Sequence, residues 1–205
     1  MSPNKTITEP SIERAVATLP PVVQWYTELQ ENSGARARLR RCRSTIEALG
    51  EPAAVGLARR LGVLGERSRH DDHAVGAALD VARVLAHVTE HAGQQRVMQA
   101  AGWKQFPGDK KESDSAEMRP LLSEVRFRRL LTTPPGEPLV VAFIRLIRLL
   151  KGEANVTQLS NDFRNWRHPE RGPAVRQQWA FDYYHAGDSA PLAPTIAPID
   201  EGDNL

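Results

Sequence analysis

Apolar positions recur along this chain at intervals of three and four, the period of a helix packed on one side. Alternation over four or more residues, the mark of a half-buried strand, is missing. The pattern therefore predicts a run of helices. Pro20-Pro21 opens VVQWYTELQE, and Asn32-Ser33-Gly34 closes it. Ser33 is the expected cap of the next helix, whose stripe of Leu39, Cys42, Ile46 and Leu49 ends at Gly50. Pro52 stands in the first turn of another helix, with Leu57, Leu61 and Leu64. His70-Asp71-Asp72 then leads, through an aspartate cap, into a long helix expected to run to Gly93. Its residues Val75, Ala78, Leu79, Ala82, Leu85 and Ala86 cover so broad a face that it should be central and buried.

After a weaker patch, VMQAAGW, the segment FPGDKKESDSAE is polar, charged and turn-rich, which reads as a mobile linker. The second half opens with PLLSEVRFRRLL and pauses at TTPPGEP. LVVAFIRLIRLLK follows, apolar except for Arg145, Arg148 and Lys151 along one edge. Val156, Leu159, Phe163 and Trp166 stripe the next helix. Beyond HPERGP a last one carries Val175, Trp179 and Tyr183. The expected fold is all-α, about eight helices in two packed bundles. Its expected units are an N-terminal bundle over 1–103, a mobile linker over 104–115, a C-terminal bundle over 116–187 and a disordered acidic tail over 188–205.

Composition adds bounds. The chain has 205 residues, 40% hydrophobic and 25% charged, ordinary for a globular protein. LVVAFI is far too short to span a bilayer. No basic segment followed by an apolar run marks a secretory signal, so the expected home is the cytoplasm, with no membrane partner. The single cysteine, Cys42, excludes an intrachain disulfide and a four-cysteine zinc site. The net charge of +2 conceals a partition. Residues 1–33 sum to −2, residues 188–205 to −4, and the body between them to +8. Such a body suits an anionic partner.

Positive charge peaks in GARARLRRCR, residues 34–43, where Arg36, Arg38, Arg40, Arg41 and Arg43 crowd one helix. The pairs Arg36/Arg40, Arg38/Arg41 and Arg40/Arg43 are like charges three or four apart, each costing about 0.2–0.5 kcal/mol. A bound anion would relieve them. The competing reading pairs them with acids such as Glu28 and Glu31. Two further rows, Arg126, Arg128 and Arg129, then Arg145, Arg148 and Lys151, extend the first reading: three basic rows could form one groove for a phosphate backbone.

Other constellations are weaker. His87 and His91 have the spacing of two ligands on a helix, but HVTEH lacks the HExxH order. HDDH at 70–73 holds the residue types of a metal phosphohydrolase, using His70, Asp71, Asp72 and His87 or His91, and equally the composition of a helix cap. Arginines beside Cys42 could lower its pKa, though burial is the commoner fate of such a residue. Phe163, Trp166 and Trp179 are read as core. No cofactor is expected.

Taken together, ARARLRR, VRFRRLL, LIRLLK and DFRNWRHPERGPAVRQQWAFDYY resemble the CasB family, the small subunit of the type I-E CRISPR surveillance complex, Cascade. The resemblance spans most of residues 20–186. It implies a non-enzymatic two-bundle protein, present in two copies and touching the backbone and large subunits. It also implies help in holding the hybrid of guide RNA and target DNA and the displaced DNA strand. On this resemblance DNA contact falls to Arg36, Arg38, Arg40 and Arg41 and to Arg126, Arg128 and Arg129. Extension to Arg43, Arg145, Arg148 and Lys151 rests on charge. A purely architectural adaptor and the metal phosphohydrolase remain the alternatives.

Overall fold

The computed structural model describes residues 19–65, 71–103, 119–166 and 168–185. The linker expected at 104–115, the tail at 188–205 and His70 lie outside the described residues. Within them the chain is all-α, as expected. The N-terminal half contributes α1 (Pro21–Glu31), α2 (Ser33–Arg41), α3 (Thr45–Leu49), α4 (Pro52–Arg60), α5 (Asp72–Leu85) and α6 (Val97–Ala101). The second half contributes α7 (Glu124–Leu131), α8 (Glu137–Leu149), α9 (Val156–Trp166) and α10 (Arg171–Tyr184). Two-residue strands β1 (Glu90–His91) and β2 (Glu153–Ala154) pair in parallel. The two five-residue helices, α3 and α6, account for the excess over eight.

Local chemistry corrects three boundaries. Asn32, not Ser33, caps α2: its Oδ1 accepts the Ala35 N–H at 2.9 Å, and Ser33 is the first helical residue. The stripe from Leu39 to Leu49 does not lie on one helix. Ser44 turns extended, its Oγ accepts the Glu47 N–H at 3.1 Å, and Glu47 Oε2 accepts the Arg43 N–H at 2.8 Å. This reciprocal cap restarts the helix in a new phase. Ile46 and Leu49 therefore face water, at 83% and 53% exposure. Finally, the long helix stops at Leu85 rather than near Gly93. The chain beyond it is captured instead by Gly152, whose carbonyl accepts the Thr89 and Glu90 N–H groups. Gly152 sits at φ +91°, and a Cβ there would collide with the Thr89 side chain, so only glycine fits.

α5 is the central helix. Asp71 caps it, Oδ1 accepting from the N–H groups of His73 and Ala74, and every residue from Ala77 to Ala86 is buried. Around it pack α2, α3, α4, α8 and α9. α9 also meets α1, so one cluster of buried side chains runs from Val22 to Tyr183. Arg83 of α5, only 2% exposed, anchors the start of α8. Its Nη1 and Nη2 each reach a Glu137 oxygen at 2.8 Å, Nη1 also meets Asp80, and the Cys42 carbonyl accepts from Nε and Nη2.

The second half is centred on aromatic rings, as its spacing predicts. Phe143 packs edge-on to Phe163 and Trp166 at 5.0 and 5.5 Å, and Trp166 meets Trp179 at 4.9 Å. Trp179 Nε1 donates to Asp162 Oδ2 at 2.6 Å. Burial drives the Asp162 carboxyl up to about 6, against the opposing pull of that hydrogen bond and of Arg96. Because the folded-state value lies above the unfolded one, near 3.9, the folded protein holds this proton more tightly. Its contribution to stability therefore falls as pH rises from about 4 to about 6, by roughly 3 kcal/mol in all. Asp162→Asn keeps an acceptor for Trp179. It should raise the melting temperature at pH 7.5 by several degrees, a gain that shrinks to nothing by pH 4 in thermal melts.

Candidate nucleic-acid interface

Arg36 and Arg40 of the first row meet Arg148 of the third at the C-terminal end of α5. There the helix leaves carbonyls without intrahelical donors. Arg36 Nε and Nη2 donate to the carbonyls of Ala86 and Val88 at 3.0 and 2.8 Å, and Arg40 Nε donates to Ala86 at 2.7 Å. The cations thus face the negative end of a helix dipole. Arg148, from the last turn of α8, bears on the same place. The Arg40 guanidinium is pulled below its usual range by burial, then by Arg36 and Arg148. His87 lies among them. Burial pushes its imidazole down to about 4, and Arg148, Arg40, Arg36 and Arg83 add to the shift. At neutral pH it is therefore uncharged. On its account stability is lost as pH falls through roughly 6.5 to 4, the opposite slope to that of Asp162.

One turn back along α8, Arg145 joins Arg126 and Arg129 of α7 around a groove of about 490 Å³. Leu130, Leu146 and Leu149 supply its apolar lining. Arg145 and Arg148 stand about 4.5 Å apart along the axis. α8 thereby links the groove to the cluster at Arg36, Arg40 and His87. Six of the expected residues thus fall into two groups, Arg36, Arg40 and Arg148 at the end of α5 and Arg126, Arg129 and Arg145 around the groove, with α8 common to both.

The others do not join. Arg38 is held by Glu51 at 2.8 Å, and Arg128 by Glu124 at 2.5 Å. Arg41 and Arg43 are exposed, without a side-chain ion pair among the described residues. Lys151, in the left-handed region at φ +56°, borders a separate cavity of about 300 Å³ beside Arg96 and Glu153. Of the two acids named as partners for the first row, Glu28 is engaged elsewhere, with Arg60 of α4 at 2.6 Å.

The metal readings meet a different geometry. His87 and His91 do not share a helix face, because α5 has ended before either. His91 Nδ1 instead accepts the Val156 N–H at the start of α9. Asp71 is occupied as the cap of α5. Among the described residues no group of three His, Cys, Asp or Glu side chains is placed to hold a metal ion. Cys42 is half-buried. Its thiol is pushed up by burial and by Glu51, which outweigh the opposing pull of Arg83. Among the described residues no helix is long and apolar enough to cross a membrane.

Two members of this cluster have no local signal. His87 reads as a surface residue, and Arg83 as one more charge on a helix. Their roles come from Arg40, Arg148 and Glu137, which are distant in sequence.

The family model described as CRISPR-associated protein Cse2 matches residues 35–184, from the first turn of α2 to the last residue of α10. The chain belongs to this family. Cse2 is the small subunit, CasB, of type I-E Cascade, which bears out the resemblance read from ARARLRR to WAFDYY. The Cse2 match encloses every converging arginine described above. No curated protein and no solved structure matches the chain.

Proposed function

We propose that this Cse2-family chain is a non-catalytic Cascade subunit that binds the sugar-phosphate backbone without reading sequence. Its role is to stabilise the R-loop, the guide–target hybrid together with the displaced strand. The supporting observation is the grouping of Arg36, Arg40 and Arg148 at the end of α5 and of Arg126, Arg129 and Arg145 around the groove, with α8 common to both. Strand exchange in an R-loop is nearly balanced in base-pairing energy, so contacts to the backbone alone can tip it. Guanidinium groups around a groove supply such contacts and release counterions from the phosphates they neutralise. Within the complex the chain would adjoin guide RNA, target DNA, the backbone and large subunits and a second copy of itself.

The test uses Arg129, Arg145 and Arg148, all exposed. Changing the three to Gln should lower the slope of log K against log salt for single-stranded DNA by about 2, at roughly 0.7 per phosphate contact. Arg60→Gln, which removes a cation already held by Glu28, should leave the slope as it is. In the assembled complex the triple variant should form fewer R-loops at physiological salt. An unaltered slope in the folded triple variant would overturn the reading.

A further inference from the structure

The side of α9 turned away from the core carries Asn161, Arg164 and Asn165, with His168 just beyond the helix, all at three- and four-residue spacing along one face. This row lines a cleft of about 980 Å³, bounded also by His73 near the start of α5, Gly136 before α8 and Arg171 at the start of α10. The cleft lies at the N-terminal ends of α5 and α8. The cluster around Arg40, His87 and Arg148 lies at their C-terminal ends, about 20 Å away at 1.5 Å per residue. The cleft shares no lining residue with the groove between α7 and α8 either.

Arg164 sets the chemistry. The other arginines withdrawn from water among the described residues all have acceptors. Arg36 donates to the Ala86 and Val88 carbonyls, Arg83 to Asp80 and Glu137, Arg96 to Asp182 and Arg176 to the Trp166 carbonyl. Arg164 is half-buried, burial alone lowers its pKa, and no acceptor is paired with it among the described residues. A cation withdrawn from water without compensation is costly, and an anion in the cleft would supply the compensation. The one carboxylate in the lining, Asp71, already accepts two backbone N–H groups at the start of α5. His168 Nδ1 accepts the Glu170 and Arg171 N–H groups, so its proton sits on Nε2 as a further donor. Asn161 and Asn165 add side-chain amides, which donate and accept at once and match the edge of a nucleobase, adenine best. A bare phosphate would leave the amide carbonyls unmatched, and the volume suits a ligand larger than phosphate.

We propose that this cleft seats a nucleotide unit, its phosphate on Arg164 and Arg171 and its base edge on the amides of Asn161 and Asn165. The unit is either a free nucleotide or one residue of a single strand. The assignment does not rest on the backbone groove at α7 and α8.

Calorimetric titration of the full chain with AMP and with the 5′-phosphorylated dinucleotide pdApdA tests it, since both ligands are too short to reach the arginine cluster at the far end of α5. At least one should bind saturably. That affinity should fall tenfold or more in Arg164→Ala and in Asn161→Asp, and stay unchanged in Arg60→Gln, at a cation already held by Glu28. Binding of AMP identifies a free nucleotide as sufficient; binding of the dinucleotide alone identifies the strand. Asn161 is exposed, so its variant reads out even where Arg164→Ala fails to fold. No binding of either ligand, or affinity unchanged in folded variants, overturns the proposal.

Discussion

Replacing Arg83 with Ala should lower the melting temperature by about 10 °C. Arg83 is 2% exposed and lies against Asp80, at 1%, so truncation leaves a buried carboxylate without its cation. Breaking a buried pair by removing one partner costs about 3–5 kcal/mol, and each kcal/mol moves the midpoint by about 2–4 °C in a chain of this size. The loss is also architectural. Burial works against the Arg83 charge, yet hydrogen bonds and charge from Glu137 and Asp80 win and leave its pKa raised. The same fork ties α5 to Glu137 at the start of α8 and to the Cys42 carbonyl between α2 and α3. Two companion variants separate these effects in thermal melts at pH 7. Glu137→Gln, at a side chain 46% exposed, should cost about 1 kcal/mol. Adding Asp80→Asn to Arg83→Met should recover part of the loss, because the only charge then left without its partner is Glu137, which reaches water. A loss below about 1 kcal/mol for Arg83→Ala would contradict this account of the link.

Trp179→Ala should cost a further amount of the same order, about 3–5 kcal/mol in urea denaturation. The side chain is fully buried against Phe143 and Trp166, and the space it leaves is walled by rings that cannot collapse into it. A second effect sets this site apart from an ordinary cavity. Trp179 is the hydrogen-bond donor to Asp162, and without it the carboxyl rises above its value of about 6. The penalty should therefore be larger at pH 7.5 than at pH 4. In an Asp162→Asn background the pH dependence of the Trp179→Ala penalty should vanish. A penalty independent of pH in the parent would mean that the hydrogen bond is immaterial.

The sequence was most readable where apolar spacing is long and unbroken. Val156, Leu159, Phe163 and Trp166 form the inner face of α9, and the alanine-rich stretch after Asp71 forms the centre of the fold. Reading failed where a local hydrogen bond outweighed the period. Ser44 and Glu47 are three residues apart in the pattern of a reciprocal cap, a signal present in STIE that would have split the stripe at Cys42. The end of α5 was illegible in principle. Nothing around Leu85 breaks a helix; its termination depends on Arg36, Arg40 and Gly152, which come from α2 and from the turn after α8. The basic rows were visible as charge. Their sorting into grouped and paired residues was only partly so: Glu124 stands four residues before Arg128 on one helix, a spacing that signals their pair, whereas nothing in the sequence signals that Glu51 would engage Arg38 from a different helix.

Arg36 and Arg40 do more than end a helix. An arginine side chain carries about 2 kcal/mol of rotational freedom, which ordinarily must be surrendered when it grips a phosphate. In this fold the bonds to Ala86 and Val88 have stilled both side chains already, so that cost falls on folding and not on association. A lysine of equal charge has no planar fork to set between two carbonyls and would meet a polyanion still in motion. On the proposed function, rigidity here would be a source of affinity, installed before any partner arrives.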